Sequence, residues 1–205
     1  MKWFKRSLQV MLMVAVLLTE GMGAQEARQL NNAGGYSEVC GTITEETESW
    51  VLSVFGEHDT LEELLWALDR FACENFTYTT DALGVSQRVL QHFNMQHFIE
   101  SGFRGICFDF ACFCKNVVLI WCQAQGEDVQ VFVCDIKSDL TNGHSYNYFT
   151  DSQGNYWYMD VTSDSTNYKK GDMQGVWGPV CLGDATPEEF NNRLYPDGYW
   201  FSLMR

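Results

Sequence analysis

The stretch Gly105-Ile-Cys-Phe-Asp-Phe-Ala-Cys-Phe-Cys114 (GICFDFACFC) places three of the chain's eight cysteines within ten residues. They could be a disulfide knot, a metal clamp, buried packing, or one nucleophile among inert neighbours. Gly102 and Gly105 break the chain just ahead of Cys107. From there to Ala124 the sequence is apolar nearly all round, which by its length and lack of alternation predicts a buried helix. On a helix, positions 107 and 112 lie about 7.5 Å apart along the axis, and 107 and 114 about 10.5 Å. A disulfide needs Cα atoms within roughly 7 Å, and positions 112 and 114 point apart. No bridge therefore forms inside the cluster, while bridges to Cys40, Cys73, Cys134 or Cys181 stay open. The spacing C-x4-C-x-C lacks the C-x2-C knuckle of a zinc site and has no neighbouring His. Cys112, Cys114, Cys122 and Cys134 read as small buried hydrophobes.

Cys107 differs because it opens the helix. A sulfur there meets the free N–H groups and the positive end of the aligned peptide dipoles, which favour the thiolate, the form that attacks a carbonyl carbon. The same N–H groups can stabilise the oxyanion that forms on attack. Asp109, two residues on, opposes this if its charge points inward. A nucleophile also needs a base. Of the four histidines, His58, His92 and His97 sit in polar surroundings and read as surface residues. His144 opens HSYNYFT directly after the turn dipeptide Asn142-Gly143, and YWYMDVT follows across the turn DSQGN. A three-residue loop with Gly154 in the left-handed region pairs Asp151 with Asn155. His144 then stands opposite Thr162 and Asp160 opposite Tyr146, so His144 and Asp160 are diagonal neighbours on one sheet face. Cys107 attacks, His144 takes and returns the proton, and Asp160 fixes the imidazole's tautomer and orientation.

The rest of the chain bounds this reading. Lys2, Lys5 and Arg6 precede the apolar run Val10–Leu18 and the small residues Gly21, Gly23 and Ala24, the layout of a secretory signal peptide over 1–24. No later apolar run approaches the ~20 residues of a spanning helix. The whole chain carries 13 basic and 27 acidic residues, a net −14; without residues 1–24 the balance is 10 against 26, or −16. Such acidity disfavours nucleic acid and anionic membrane surfaces. Residues 25–58, rich in Gly, Asn and Thr, read as an irregular lead-in, and 59–205 as one domain. Leu61, Leu64, Leu65, Leu68, Phe71 and Ala72 recur at helix spacing; a second helix is expected over 86–100. DVQVFVCDI reads as an interior strand. Thr186-Pro-Glu-Glu189 is a helix start with a hydroxyl cap, Pro at the first position and Glu three after the cap. Helices followed by antiparallel strands make the class α+β.

GICFDFA, HSYNYF and WYMDVT, in that order, resemble the bacterial branch of the transglutaminase-like superfamily, and LEELLWALDRFACENFTY resembles the helix that commonly precedes its core. The likeness covers roughly 60–165. It implies a papain-like core, a Cys-bearing helix packed on an antiparallel sheet, and Cys107, His144 and Asp160 as the triad. It leaves Trp66, Asn75 and Tyr78 as candidates for the upstream oxyanion side chain, and it sets Tyr146 where relatives often have Trp. The expectation is a secreted, monomeric, cysteine-dependent acyl-transfer enzyme. It would act on peptide or protein amides through a Cys107 thioester, as a peptidase, amidase or protein-glutamine transglutaminase, with no cofactor or metal. The rival readings are a catalytically inactive binding module of the same fold and an exported metal-binding domain.

Overall fold

A computed structural model describes residues 43–79, 93–138, 141–162, 178–195 and 199–204. The expected signal peptide over 1–24 and the start of the expected helix over 86–100 lie outside the described residues.

The first helix, α1 (Glu45–Phe55), falls inside the stretch read as an irregular lead-in, so that reading is corrected. Thr44 caps it by accepting from the Thr47 N–H, while the Thr47 hydroxyl accepts from the Thr44 N–H. Three first-turn glutamates face the positive end of its dipole. Trp50, Val51 and Phe55 are its buried apolar residues, with Leu52 and Val54 packed partly buried against the same core. The packed core therefore begins upstream of residue 59.

Thr60 caps α2 (Leu61–Asn75), whose buried face is the expected one, Leu61, Leu64, Leu65, Leu68 and Ala72. A two-residue strand, β1 (Thr77–Tyr78), follows. Helix α3 (Met95–Glu100) begins only at residue 95, because the Asn94 side chain accepts from the His97 N–H and its own backbone is extended. A continuous helix over 86–100 is thereby corrected to this short one at the described end.

Between α3 and the cysteine helix, Gly102 and Phe103 take φ of 72° and 59°. Positive φ is rare and strained for a bulky residue. Phe103 is held there by its ring, which meets Trp50, Phe71, Phe76, Phe98 and Phe113 at centroid distances of 5.1 to 6.0 Å. Its backbone joins in, donating to the Phe98 carbonyl and accepting from the Thr77 N–H. This aromatic cluster clamps α1, α2 and α3 around the entry to the cysteine helix. The chain then forms β2 (Arg104–Gly105), parallel to β1 with Tyr78 opposite Gly105.

Helix α4 (Cys107–Gln125) is the core helix expected from the sequence, ended by Gly126 at φ 74°. By length and composition it could cross a membrane, yet 72% of its apolar window is buried inside the protein. It lies on a five-stranded antiparallel sheet of β3 (Gln130–Ser138), β4 (Thr141–Thr150), β5 (Tyr156–Met159), β6 (Val180–Gly183) and β7 (Tyr199–Met204), in the order β6-β5-β4-β3-β7. Val131, Val133, Phe149, Trp157 and Met159 share the core with α4. The opposite face, Phe132, Cys134, Ile136, Tyr146, Tyr148 and Tyr158, is covered by α5 (Pro187–Leu194), which starts at Thr186 as expected.

Asn147 on β4, 1% exposed, joins helix to sheet. Its amide donates to the Ala111 carbonyl at 3.0 Å and to the Phe132 carbonyl at 3.2 Å.

Candidate active site

Cys107 is the first residue of α4, half-buried, with Ile106 as an extended cap residue. Asp109, 7% exposed, turns back so that its Oδ2 accepts the Ile106 N–H at 2.9 Å. The charge that could have opposed a thiolate is thus engaged on the cap amide. This turn explains Gly105: a Cβ there would stand 2.6 Å from Asp109 Oδ2 and 2.8 Å from its Cβ. Only glycine lets the carboxylate reach the amide that starts the helix.

The β4–β5 hairpin has the register expected from its turn. Asn147 pairs with Met159 and Thr150 with Tyr156. Gly154 takes φ 85°, and the Asp151 N–H donates to the Asn155 carbonyl. His144 and Asp160, 6% and 3% exposed, meet as diagonal neighbours, with His144 Nε2 2.8 Å from Asp160 Oδ2. An ionised carboxylate only accepts, so Nε2 carries the proton. Asp160 Oδ1 accepts the Thr162 N–H at 3.1 Å, which fixes the carboxylate at the strand's end. The imidazole also hydrogen-bonds the Cys107 side chain, and with Nε2 occupied the bond falls to Nδ1. The three residues expected from the sequence are therefore brought into one line, Cys107–His144–Asp160.

Burial alone would hold His144 neutral, but the Asp160 charge and hydrogen bond outweigh it, and Cys107 adds to them. The imidazole is pushed up to about 10. A raised histidine stabilises the fold fully below its unfolded value near 6.5, and that contribution is lost as pH rises through the folded value. Denaturant midpoints measured across pH 6 to 10 are expected to fall in that window. In Cys107→Ala the fall should be smaller and end at lower pH, because one of the groups that raise the folded-state imidazole is gone.

The other described cysteines behave differently. Burial, with Asp69 and Asp160 nearby, pushes Cys114 far above the ordinary thiol range. Burial likewise raises Cys122 to about 12, reinforced by Glu127. It raises Cys134 to about 12 against the pull of Tyr146 and Asn191. Such thiols are inert. Cys73 and Cys181 are exposed on α2 and β6. Among the described residues no three His, Cys, Asp or Glu side chains gather as a metal ion needs.

Of the oxyanion candidates, Trp66 is 45% exposed and its ring lies where a side chain at Gly178 would stand. The Asn75 amide donates to the Phe71 carbonyl of its own helix. Tyr78 sits beside Gly105, and the next N–H, from Thr79, donates to the Gly105 carbonyl, so Tyr78 is the candidate adjoining the helix entrance.

Asp135 was not anticipated. It lies across from Ser145, whose hydroxyl donates to it at 2.5 Å. Burial raises this carboxyl, while Ser145 and His144 pull it back. The sequence shows only an acidic residue in a strand, with no pattern that marks its neighbour.

A cysteine at the start of a core helix, followed by antiparallel strands that present His and then Asp, is the transglutaminase-like arrangement that the three motifs imply. No protein-family model matches the chain, and no similar sequence is found among curated proteins. Three solved structures are similar to it at low identity. One is a protein from Cytophaga hutchinsonii described as a candidate cysteine protease, 14% identical, with a TM-score of 0.43, covering 86% of this chain and 52% of that one. Another is the periplasmic domain of TgpA from Pseudomonas aeruginosa bound to ethylmercury, 14% identical, with a TM-score of 0.42, covering 58% of this chain and 44% of that one. The third is a TGase, 11% identical, with a TM-score of 0.38, covering 65% of this chain and 37% of that one. The matched part thus spans about half the length of those chains or less.

Proposed function

We propose that the protein is an exported, cysteine-dependent acyl-transfer enzyme that acts on amide bonds of peptides or proteins. The observation that carries this is the hydrogen-bonded line Cys107–His144–Asp160 at the N-terminus of α4. The thiol proton already resides on His144 Nδ1, as an imidazolium held by Asp160 beside the thiolate, and that sulfur attacks the amide carbon to form a C–S bond. The negative oxygen that develops lies near the N–H groups that open the helix, which have no intrahelical acceptor. Collapse breaks the C–N bond, and His144 returns its proton to the leaving amine or ammonia. Water or a primary amine then attacks the thioester, His144 accepts its proton, and the C–S bond breaks to release the thiolate beside the protonated His144. Export rests on the layout of residues 1–24.

The test incubates protein lacking residues 1–24 with glutamine-containing peptides and proteins, with and without a primary amine, and reads products by mass spectrometry. Chain cleavage with gain of water is the expected result, since no separate amine-binding element was found in the sequence. Amine incorporation would mark a transglutaminase, and ammonia release without cleavage a deamidase. Absence of all three, with a peptide bound beside Cys107, would replace the enzyme by a binding module.

A further inference from the structure

We infer that Asn191 on α5 is a positioning residue for His144, acting through Tyr146; this rests on the catalytic reading of His144 above. Asn191 is fully buried, and its Oδ1 accepts from two hydroxyls, Tyr146 and Tyr148, each at 2.7 Å. Both tyrosines lie on the same face of β4 and are almost wholly buried. Their rings continue into Tyr158, at 5.2 Å from Tyr146 and 5.8 Å from Tyr148. The two hydroxyls therefore share one acceptor in the same core, and the Tyr148 hydroxyl also reaches the Pro187 carbonyl at 3.4 Å.

They differ at the other end. The Tyr146 ring stands against the imidazole of His144, with centroids 5.6 Å apart and planes 39° apart. Tyr148 is four residues from His144 along the strand, roughly 13 Å away, too far for its ring to reach. The imidazole has two bonds to keep at once, Nε2 to Asp160 and Nδ1 to Cys107, and a tilt of the ring breaks one or both. Tyr146 forms a wall against that tilt. A tyrosine ring is set by two torsions and, here, by an anchored hydroxyl. Asn191 supplies the anchor from an element outside the stretch that holds the triad. The two tyrosines share the Asn191 anchor and differ in that only Tyr146 touches the imidazole, so Tyr148 serves as the comparison for the positioning role.

The experiment compares Tyr146→Phe, Tyr148→Phe and Asn191→Ala in the protein lacking residues 1–24. It measures denaturant midpoint, kcat and KM, and the titration of the His144 ring protons by NMR. Each Phe variant keeps its ring and loses one buried hydroxyl, so both midpoints should fall. Tyr146→Phe is expected to lower kcat about tenfold, the effect of a small loss of transition-state alignment, with KM unchanged and the His144 titration shifted. Tyr148→Phe should keep kcat within about twofold and leave the titration in place. Adding Asn191→Ala to Tyr146→Phe should lower kcat little further, as expected for residues acting in one chain. Equal kcat losses in both Phe variants would overturn the proposal, as would an unshifted titration in Tyr146→Phe. If no Cys107-dependent turnover exists, the NMR comparison still decides: a shift in Tyr146→Phe alone supports the positioning role, and no shift removes it.

Discussion

Cys107→Ala is expected to lose all measurable turnover, at least about 10⁴-fold, while keeping its denaturant midpoint near the parent value. Removing a nucleophile that works with its base as a unit costs nearly the whole catalytic effect, leaving only what binding and the oxyanion donors supply. The fold tolerates the change because Cys107 is half-buried at the first position of α4, where alanine is a good helix former. Cys112→Ala and Cys114→Ala should do the reverse. Both side chains are fully buried, so these variants lower stability and spare turnover. A thiol alkylating reagent should accordingly modify Cys107 ahead of those two. Turnover that survives Cys107→Ala would end the thioester mechanism, and Cys112 labelling at the same rate would end the claim that only one of this cluster is activated.

Asp160→Asn is expected to lower kcat by about 10³- to 10⁴-fold, while stability falls only by what the protonated His144 contributes through this carboxylate. In a related triad the same change leaves the geometry intact and presents the wrong imidazole tautomer. Here an Asn can still accept the Thr162 N–H through Oδ1, so the strand end keeps its bond. The other oxygen becomes an amide that donates toward Nε2, and the ring is driven to carry its proton on Nδ1, where it must instead accept from the thiol. The carboxylate is also the main group holding His144 protonated, so the His144 titration should move to lower pH in the same variant. A fall in kcat of less than about tenfold would remove Asp160 from the orienting role.

The cysteine helix and the β4–β5 hairpin were legible because their determinants are local. A glycine-bounded apolar run sets the first. In the second, a turn with one left-handed glycine fixes the register residue by residue, and with it the His144–Asp160 contact. Thr186-Pro187 marked α5 for the same reason. What was not legible is non-local. Strands β6 and β7 owe their existence to partners far away in the chain, Tyr156–Tyr158 for one and Val133–Ser138 for the other. Nothing in YWFSLM alone names β3 as its neighbour. Helix α1 leans on an aromatic cluster assembled from three other helices and the loops between them. Asp135 and Asn191 are polar residues whose meaning comes only from what other elements place against them.

Asn147 has a further consequence. With one amide bound to the Ala111 carbonyl of the helix and the Phe132 carbonyl of the neighbouring strand, it acts as a pin against sliding. A shift of α4 by one turn along the sheet, about 5.4 Å, would take the Ala111 carbonyl away from the Asn147 amide and carry the sulfur out of reach of the imidazole. The spacing of thiol and base is thus set by the docking of two backbones and not by the reacting side chains. That separation makes the scaffold a rigid jig. The chemistry at position 107 can be exchanged, for a hydroxyl or a selenol, while the distance across which the proton moves stays where the pin holds it.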